Sequence, residues 1–190
     1  MATARRPLRA DAQRNRDAIL AAARETFDAE GVMASLDGIA LRAGVGNATL
    51  YRNFPTRDDL LAAVMQTAID AALTEAADLA RTLEPRAALA EWLFRLTWQL
   101  RIWHDLPYCL STSHNDDASP MKPTTDPLLE RTATLLKAAG TPGDISPDEV
   151  YELVLALSWA VDRFADDEPA ARRRVAIGTA GVLTARSRTA

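Results

Sequence analysis

One cysteine and two histidines among 190 residues leave little material for covalent or metal chemistry. The lone Cys109 excludes an intramolecular disulfide framework and fits a reducing compartment. His104 and His114 stand near Asp105, Cys109, Asp116 and Asp117, but their spacing matches no established ligand pattern and no nucleophile motif surrounds the thiol. No uninterrupted apolar run approaches the roughly 18 residues that a bilayer-spanning helix needs. Met1 to Arg9 is basic but lacks the apolar stretch of a signal peptide, so a cytoplasmic protein with no membrane partner, cofactor or metal is expected. There is no glycine-rich loop to cradle a phosphate. What remains is an ordinary globular composition, 48% hydrophobic and long enough for one unit or two small subdomains sharing a core.

Negative charge dominates overall, with a formal net of -4, but it is unevenly placed. Residues 1–57 carry nine Arg and six Asp or Glu, whereas residues 58–190 carry 13 Lys or Arg and 20 Asp or Glu. The N-terminal end is therefore basic on an acidic protein. Arg5, Arg6, Arg9, Arg14 and Arg16 read as a positive arm ahead of the first helix, suited to following a phosphate backbone or entering a minor groove, or simply to a solvated terminus.

The basic end also holds the most informative run, Ser35 to Phe54. Ser35 is a good N-cap, and Leu36, Ile39, Ala40 and Ala43 recur at helical spacing behind it. Gly44-Val45-Gly46 supplies a turn, with Gly44 where a helix end calls for left-handed dihedrals. A second helix runs from Asn47 to Phe54 and stops there, because Pro55 disfavours helical dihedrals in the residue before it. Leu50 and Phe54 face inward, which leaves Asn47, Tyr51, Arg52 and Asn53 outside. Asn reads adenine bidentately, Arg reads guanine, and a phenol suits a phosphate oxygen, so this pattern points to duplex DNA entered from the major groove.

The stretch Ile39 to Leu61, together with a preceding helix bearing Ile19, Leu20, Ala23 and Phe27 and ended by Gly31, resembles the DNA-binding segment of the tetracycline-repressor (TetR) family of bacterial transcriptional regulators. The resemblance covers roughly residues 12–65. Gly46 stands where Ser is frequent and Arg57 where Lys is usual; Gly still serves as an N-cap and Arg keeps the charge. The resemblance implies an all-α fold of about nine helices. An N-terminal three-helix helix-turn-helix domain (1–57) would be joined through a helix over 57–83 to a C-terminal ligand-binding and dimerisation domain (58–190). It implies base or backbone contacts from Asn47, Ala48, Tyr51, Arg52 and Asn53, and phosphate contacts from Ser35, Thr49 and Arg57.

Beyond the motif, periodicity gives helices and no convincing strand. Thr56 caps the helix reaching to about Leu83, along which Leu60, Leu61, Val64, Ala68, Ala72 and Leu79 recur. Pro85 opens another, with Leu89, Trp92, Leu93, Leu96, Leu100 and Trp103 in one stripe and Trp98 off it. Leu106 to Pro127 breaks the pattern; Pro107 to Ser113 reads as a short helix and His114 to Thr125 as a mobile connection. Helices over 127–139, 147–165 and 169–185 follow. Trp92, Leu96, Gln99, Trp103, Tyr108, Cys109 and Trp159 are candidate walls of a small-molecule cavity, since such sites are apolar and aromatic with few polar groups. The last two long helices carry more apolar surface than solvated helices should expose, and the resemblance implies that they pair with a second copy.

The expected function is a homodimeric repressor that holds a palindromic double-stranded DNA operator and lets go when a small-molecule effector binds; no catalysis is expected. Two alternatives remain open from sequence. One is a ligand-independent DNA-binding or interaction module, the other a small thiol or metal enzyme built on His104, Cys109 and His114.

Overall fold

The computed structural model describes residues 5–141 and 143–184, with side chains described from Ala10 onward. Ten helices and no strand are present among the described residues: α1 (Arg5–Glu30), α2 (Leu36–Arg42), α3 (Asn47–Asn53), α4 (Arg57–Thr82), α5 (Pro85–Leu100), α6 (Leu106–His114), α7 (Lys122–Ala139), α8 (Pro147–Arg163), α9 (Glu168–Gly178) and α10 (Ala180–Leu183). The all-α class stands.

Helices α1, α2 and α3 form a head whose core is Ile19, Ala23, Phe27, Ile39, Leu50 and Phe54, all essentially inaccessible to solvent. Ser35 caps α2, its side chain accepting from the Gly38 N–H. Gly44 takes a left-handed φ of 69°, the conformation a residue with Cβ resists, and the chain re-enters helix at Asn47. The arrangement is the helix-turn-helix read from sequence. The basic arm is different: α1 begins at Arg5, so Arg14 and Arg16 are helical residues with intramolecular partners. Arg14 pairs with Asp11, and the Arg16 guanidinium lies 4.4 Å from the centre of the Phe54 ring. The side chains of Arg5, Arg6 and Arg9 lie outside the described residues.

Helix α4 leaves the head and enters the body. Its start is fixed by a capping box, in which the Thr56 hydroxyl accepts from the Asp59 N–H and the Asp59 carboxylate accepts from the Thr56 N–H. By length and composition α4 is the one described helix that would reach across a bilayer. Its apolar side chains are buried instead, Leu60, Leu61, Val64, Ile69, Ala72, Ala76 and Leu79 among them, and it packs on α5 and α7. The body is completed by α8 against α5, α6 and α7, and by α9 against α5 and α8.

Three element boundaries depart from the sequence reading. α5 ends at Leu100, so Trp103 sits in the turn beyond it rather than on the helix. α7 begins at Lys122, not at Pro127, which it carries internally. Proline costs least within the first turn, where the missing N–H is an orphan anyway; Pro123 takes that place and Pro127 lies one turn on, where burial of Thr124, Thr125 and Leu128 holds the helix together. The last helix breaks at Gly178–Thr179 into α9 and α10, which makes ten rather than nine, and Ala185, its expected end, lies outside the described residues.

Candidate nucleic-acid interface

On α3 the inward residues Leu50 and Phe54 are buried, which fixes the opposite face. Asn47, Ala48, Tyr51 and Arg52 are exposed there, while Thr49 and Asn53 are half-buried at its edge. The polar groups are partly committed within the helix. Arg52 is folded back, with Nε donating to the Ala48 carbonyl at 3.0 Å and Nη2 to Thr49 Oγ1 at 3.0 Å. Asn53 donates its amide to the Thr49 carbonyl at 2.8 Å. A base edge would have to displace weak, solvent-accessible contacts from Arg52, a small cost beside a bidentate Arg–guanine pair worth about 1–3 kcal/mol of discrimination.

Arg57, at the first position of α4, spans the head. Its Nη1 donates to the carbonyls of Val32 (2.6 Å) and Ala34 (2.7 Å) and so pins the α1–α2 loop. Carbonyls in a turn, unlike those in a helix, lack built-in partners, and Arg57 satisfies two of them with one nitrogen.

The head is tied to the body by the turn after α5 and by α6. Trp103 donates its indole N–H to Asp28 of α1 at 2.6 Å and meets the Phe27 ring edge-on at 5.5 Å. The Val32 N–H donates to the His104 carbonyl at 3.1 Å. Gly31, at φ 82°, makes this approach possible, because a Cβ there would lie 3.1 Å from both the Cβ and the carbonyl oxygen of His104. Farther along, Ser113 donates to Asp58 at 2.8 Å, and the Cys109 sulfur lies 3.7 Å from that of Met33.

Beside that junction is a half-enclosed cavity of about 280 Å3, close to the lower end of ordinary ligand sites, about 300–1,000 Å3. Met65, Ile69 and Ala72 of α4 form one wall, and Leu96, Leu100, Leu106 and Leu128 most of another. Its polar groups are few: the exposed Arg24 and Asp28 from α1 and Gln99 from α5, and the buried Trp103. Three sequence candidates, Leu96, Gln99 and Trp103, meet here. Tyr108 and Trp159 line a different, more open groove between α6 and α8. Trp92 and Cys109 line neither. Trp92 is core, its N–H donating to Thr132 Oγ1 at 2.9 Å, and Cys109 faces Met33. Helical periodicity marks the buried face but not which buried residues border empty space.

Residues 19–64 match the family model described as bacterial regulatory proteins, tetR family, and residues 84–184 match that of the C-terminal domain of SbtR-like transcriptional regulators. The chain belongs to the TetR family. Over 68 residues, 35% of its length, this TetR-family chain is 41% identical to an HTH-type transcriptional regulator of Staphylococcus aureus, of which the match spans 37%. A TetR transcriptional regulator of Streptomyces coelicolor is similar in structure at 28% identity and a TM-score of 0.53, over 88% of this chain and 97% of that one. The fold is also that of Thermus thermophilus FadR, a TetR-family repressor solved with lauroyl-CoA (20% identity, TM-score 0.64, 92% and 98% covered).

Within this TetR-family fold the histidines and the cysteine do not form one centre. His104 Nδ1 lies 3.4 Å from Asp162, while His114 is 3.6 Å from Asp148 and packs against Tyr151. No group of three His, Cys, Asp or Glu side chains converges among the described residues. Burial pushes the Cys109 thiol up, with the Asp58 carboxylate adding to the shift, so thiolate is scarce at neutral pH. Sequence reasoning missed Arg24 and Asp28. Nothing in the local pattern sets them apart, because α1 carries several other charges on its solvent side, Asp17, Glu25 and Glu30 among them.

Proposed function

We propose that this TetR-family regulator is a homodimer that reads a palindromic operator through α3 and releases it when a small molecule occupies the cavity between α1, α4 and α5. Asn47, Ala48, Tyr51 and Arg52 would meet base edges or the adjacent backbone, with Asn53 shaping the end of that face. Ser35 and Thr49 would meet phosphates, and Arg57 would offer its remaining N–H groups to another. The observation that carries the effector reading is that the cavity is walled on one side by the head itself, through Arg24 and Asp28. A ligand there touches both halves of the chain at once, and coupling requires such a difference in contact between states.

Two copies are supported by the surface of the last helices. Trp159, Phe164 and Ile177 are 55%, 65% and 70% exposed on α8, its C-terminal cap and α9, large apolar side chains of the kind a partner covers. Two recognition helices at fixed spacing would make the second half-site an intramolecular partner. A cytoplasmic protein is consistent with all of this.

The test is selection of genomic DNA fragments by the purified protein. Enrichment of one inverted repeat is expected, with Arg52→Ala relaxing preference at a single position of each half-site. Recovery of fragments with no shared sequence would contradict the reading.

A further inference from the structure

We propose that the cavity beside α1 takes an amphipathic carboxylate: a molecule with an apolar body in the α4–α5 cleft and one anionic head on Arg24. The inference rests on the reading of this cavity as the effector site, and it names the chemical class of effector.

The body of the site admits little but hydrocarbon or an aromatic ring. Met65, Ile69, Leu96, Leu100 and Leu128 offer no polar atom that must be matched, so a polar group pushed among them would forfeit its hydration without return. Polarity is confined to Arg24, Asp28, Gln99 and Trp103, and these groups differ in what they have left to offer. Asp28 already accepts the Trp103 indole N–H, and Gln99 donates to Glu75 at 3.3 Å. Arg24 donates from Nη2 to the Val64 carbonyl at 3.1 Å. No carboxylate lies within ion-pair distance of its guanidinium among the described residues, and Arg24 is the one cationic side chain on the lining of this cavity. A guanidinium at the lip of an apolar cleft, with its fork open, matches a planar carboxylate bidentately.

The position gives a route to release. Asp28 lies one turn from Arg24 on α1, so an anion held by Arg24 places like charge beside the carboxylate that anchors Trp103. That repulsion, in a mouth partly shielded from water, opposes the tie between head and body.

The test uses the full chain with two sets of probes, decanoate, decanol and decylamine, and naphthoate, naphthol and naphthylamine, read by tryptophan emission and by thermal shift. In at least one set the carboxylate binds tenfold or more tighter than its neutral and cationic counterparts. Arg24→Gln abolishes that preference while leaving the alcohol's affinity unchanged, and Asp28→Asn tightens the carboxylate. Equal binding of acid and alcohol, preference for the amine, or no binding by either carboxylate overturns the proposal. The same ligands are then added to the protein on its selected DNA. Carboxylate binding without DNA release would leave the ligand class standing and contradict the effector reading. DNA binding with no response to any probe would overturn the ligand class and leave the DNA-reading function intact.

Discussion

Trp103 and Asp28 are 75 residues apart in sequence and are joined by a hydrogen bond of 2.6 Å between indole N–H and carboxylate. The bond connects the turn after α5 to α1, and both partners border the cavity. Replacing Trp103 by Phe keeps the ring against Phe27 and removes the donor. Because Asp28 is exposed and regains water, losing the bond is expected to cost about 1.5 kcal/mol, the lower end for hydrogen bonds to charged groups, and the smaller ring at this buried position adds to it. Chemical denaturation checks the loss, and operator affinity in the same variant checks whether the tie holds the head in its DNA-binding arrangement.

Arg57→Ala is expected to have two separable effects. It leaves the carbonyls of the α1–α2 loop without their donor, at a cost of about 1–3 kcal/mol, visible in a denaturation curve. Loss of one phosphate contact also lowers the slope of log affinity against log salt by about 1. A destabilised protein with an unchanged salt slope would assign Arg57 to the loop alone.

The capping box at Thr56 gives a cleaner stability test, since the hydrogen bonds of its two side chains run between Thr56 and Asp59 themselves. Thr56→Ala is expected to cost about 1 kcal/mol, within the usual range for a lost N-cap. The penalty should be smaller in Thr56→Ser, which preserves the hydroxyl.

Much of the head was legible because its determinants are local. A capping Ser35, a left-handed Gly44, a helix-ending Pro55 and the Leu50–Phe54 spacing each specify structure within a few residues, and the fold agrees with all of them. The cavity was legible only in part. Leu96, Gln99 and Trp103 could be chosen from the periodicity of α5, but Arg24 and Asp28 reach the site only through the packing of α1 on α4, which no local pattern encodes. Trp92 shows the same limit: its spacing marks a buried position, but that its N–H goes to Thr132, 40 residues away, is set by packing alone. The end of the chain misled for a similar reason. Unbroken helical periodicity past Gly178 hid the break at Thr179, where α9 stops and its buried hydroxyl turns back to the Val175 carbonyl.

Gly178 itself is expected to resist enlargement. A Cβ there would lie 2.8 Å from Cδ2 of Leu157 on α8. Gly178→Ala asks only the flexible end of Leu157 to move and should be mild. Gly178→Val should lower stability by about 1–3 kcal/mol, the usual cost of overpacking. Comparison of the two variants by thermal denaturation checks the closeness of α8 and α9.

Acid should loosen the body through Glu91. Its carboxylate accepts from Arg172 at 2.7 Å and from Arg95 at 2.6 Å, and the Arg172 hydrogen bond leads in holding its carboxyl below the ordinary glutamate value. A folded-state pKa below the unfolded one stabilises above the unfolded value, and that stability is lost as pH falls through the folded one. Stability should therefore decline as pH drops below about 4.3, the usual glutamate value. The Glu91→Gln variant should be less stable at neutral pH and show a shallower decline in acid, measured as denaturation midpoints across a pH series.

The central claim is that two copies of α3 read one symmetric stretch of DNA, and a hydroxyl-radical footprint of the protein on its selected fragment tests it most directly. Two related protected half-sites of opposite orientation, about one helical turn or slightly more apart, are predicted. Protection of a single asymmetric half-site would contradict it.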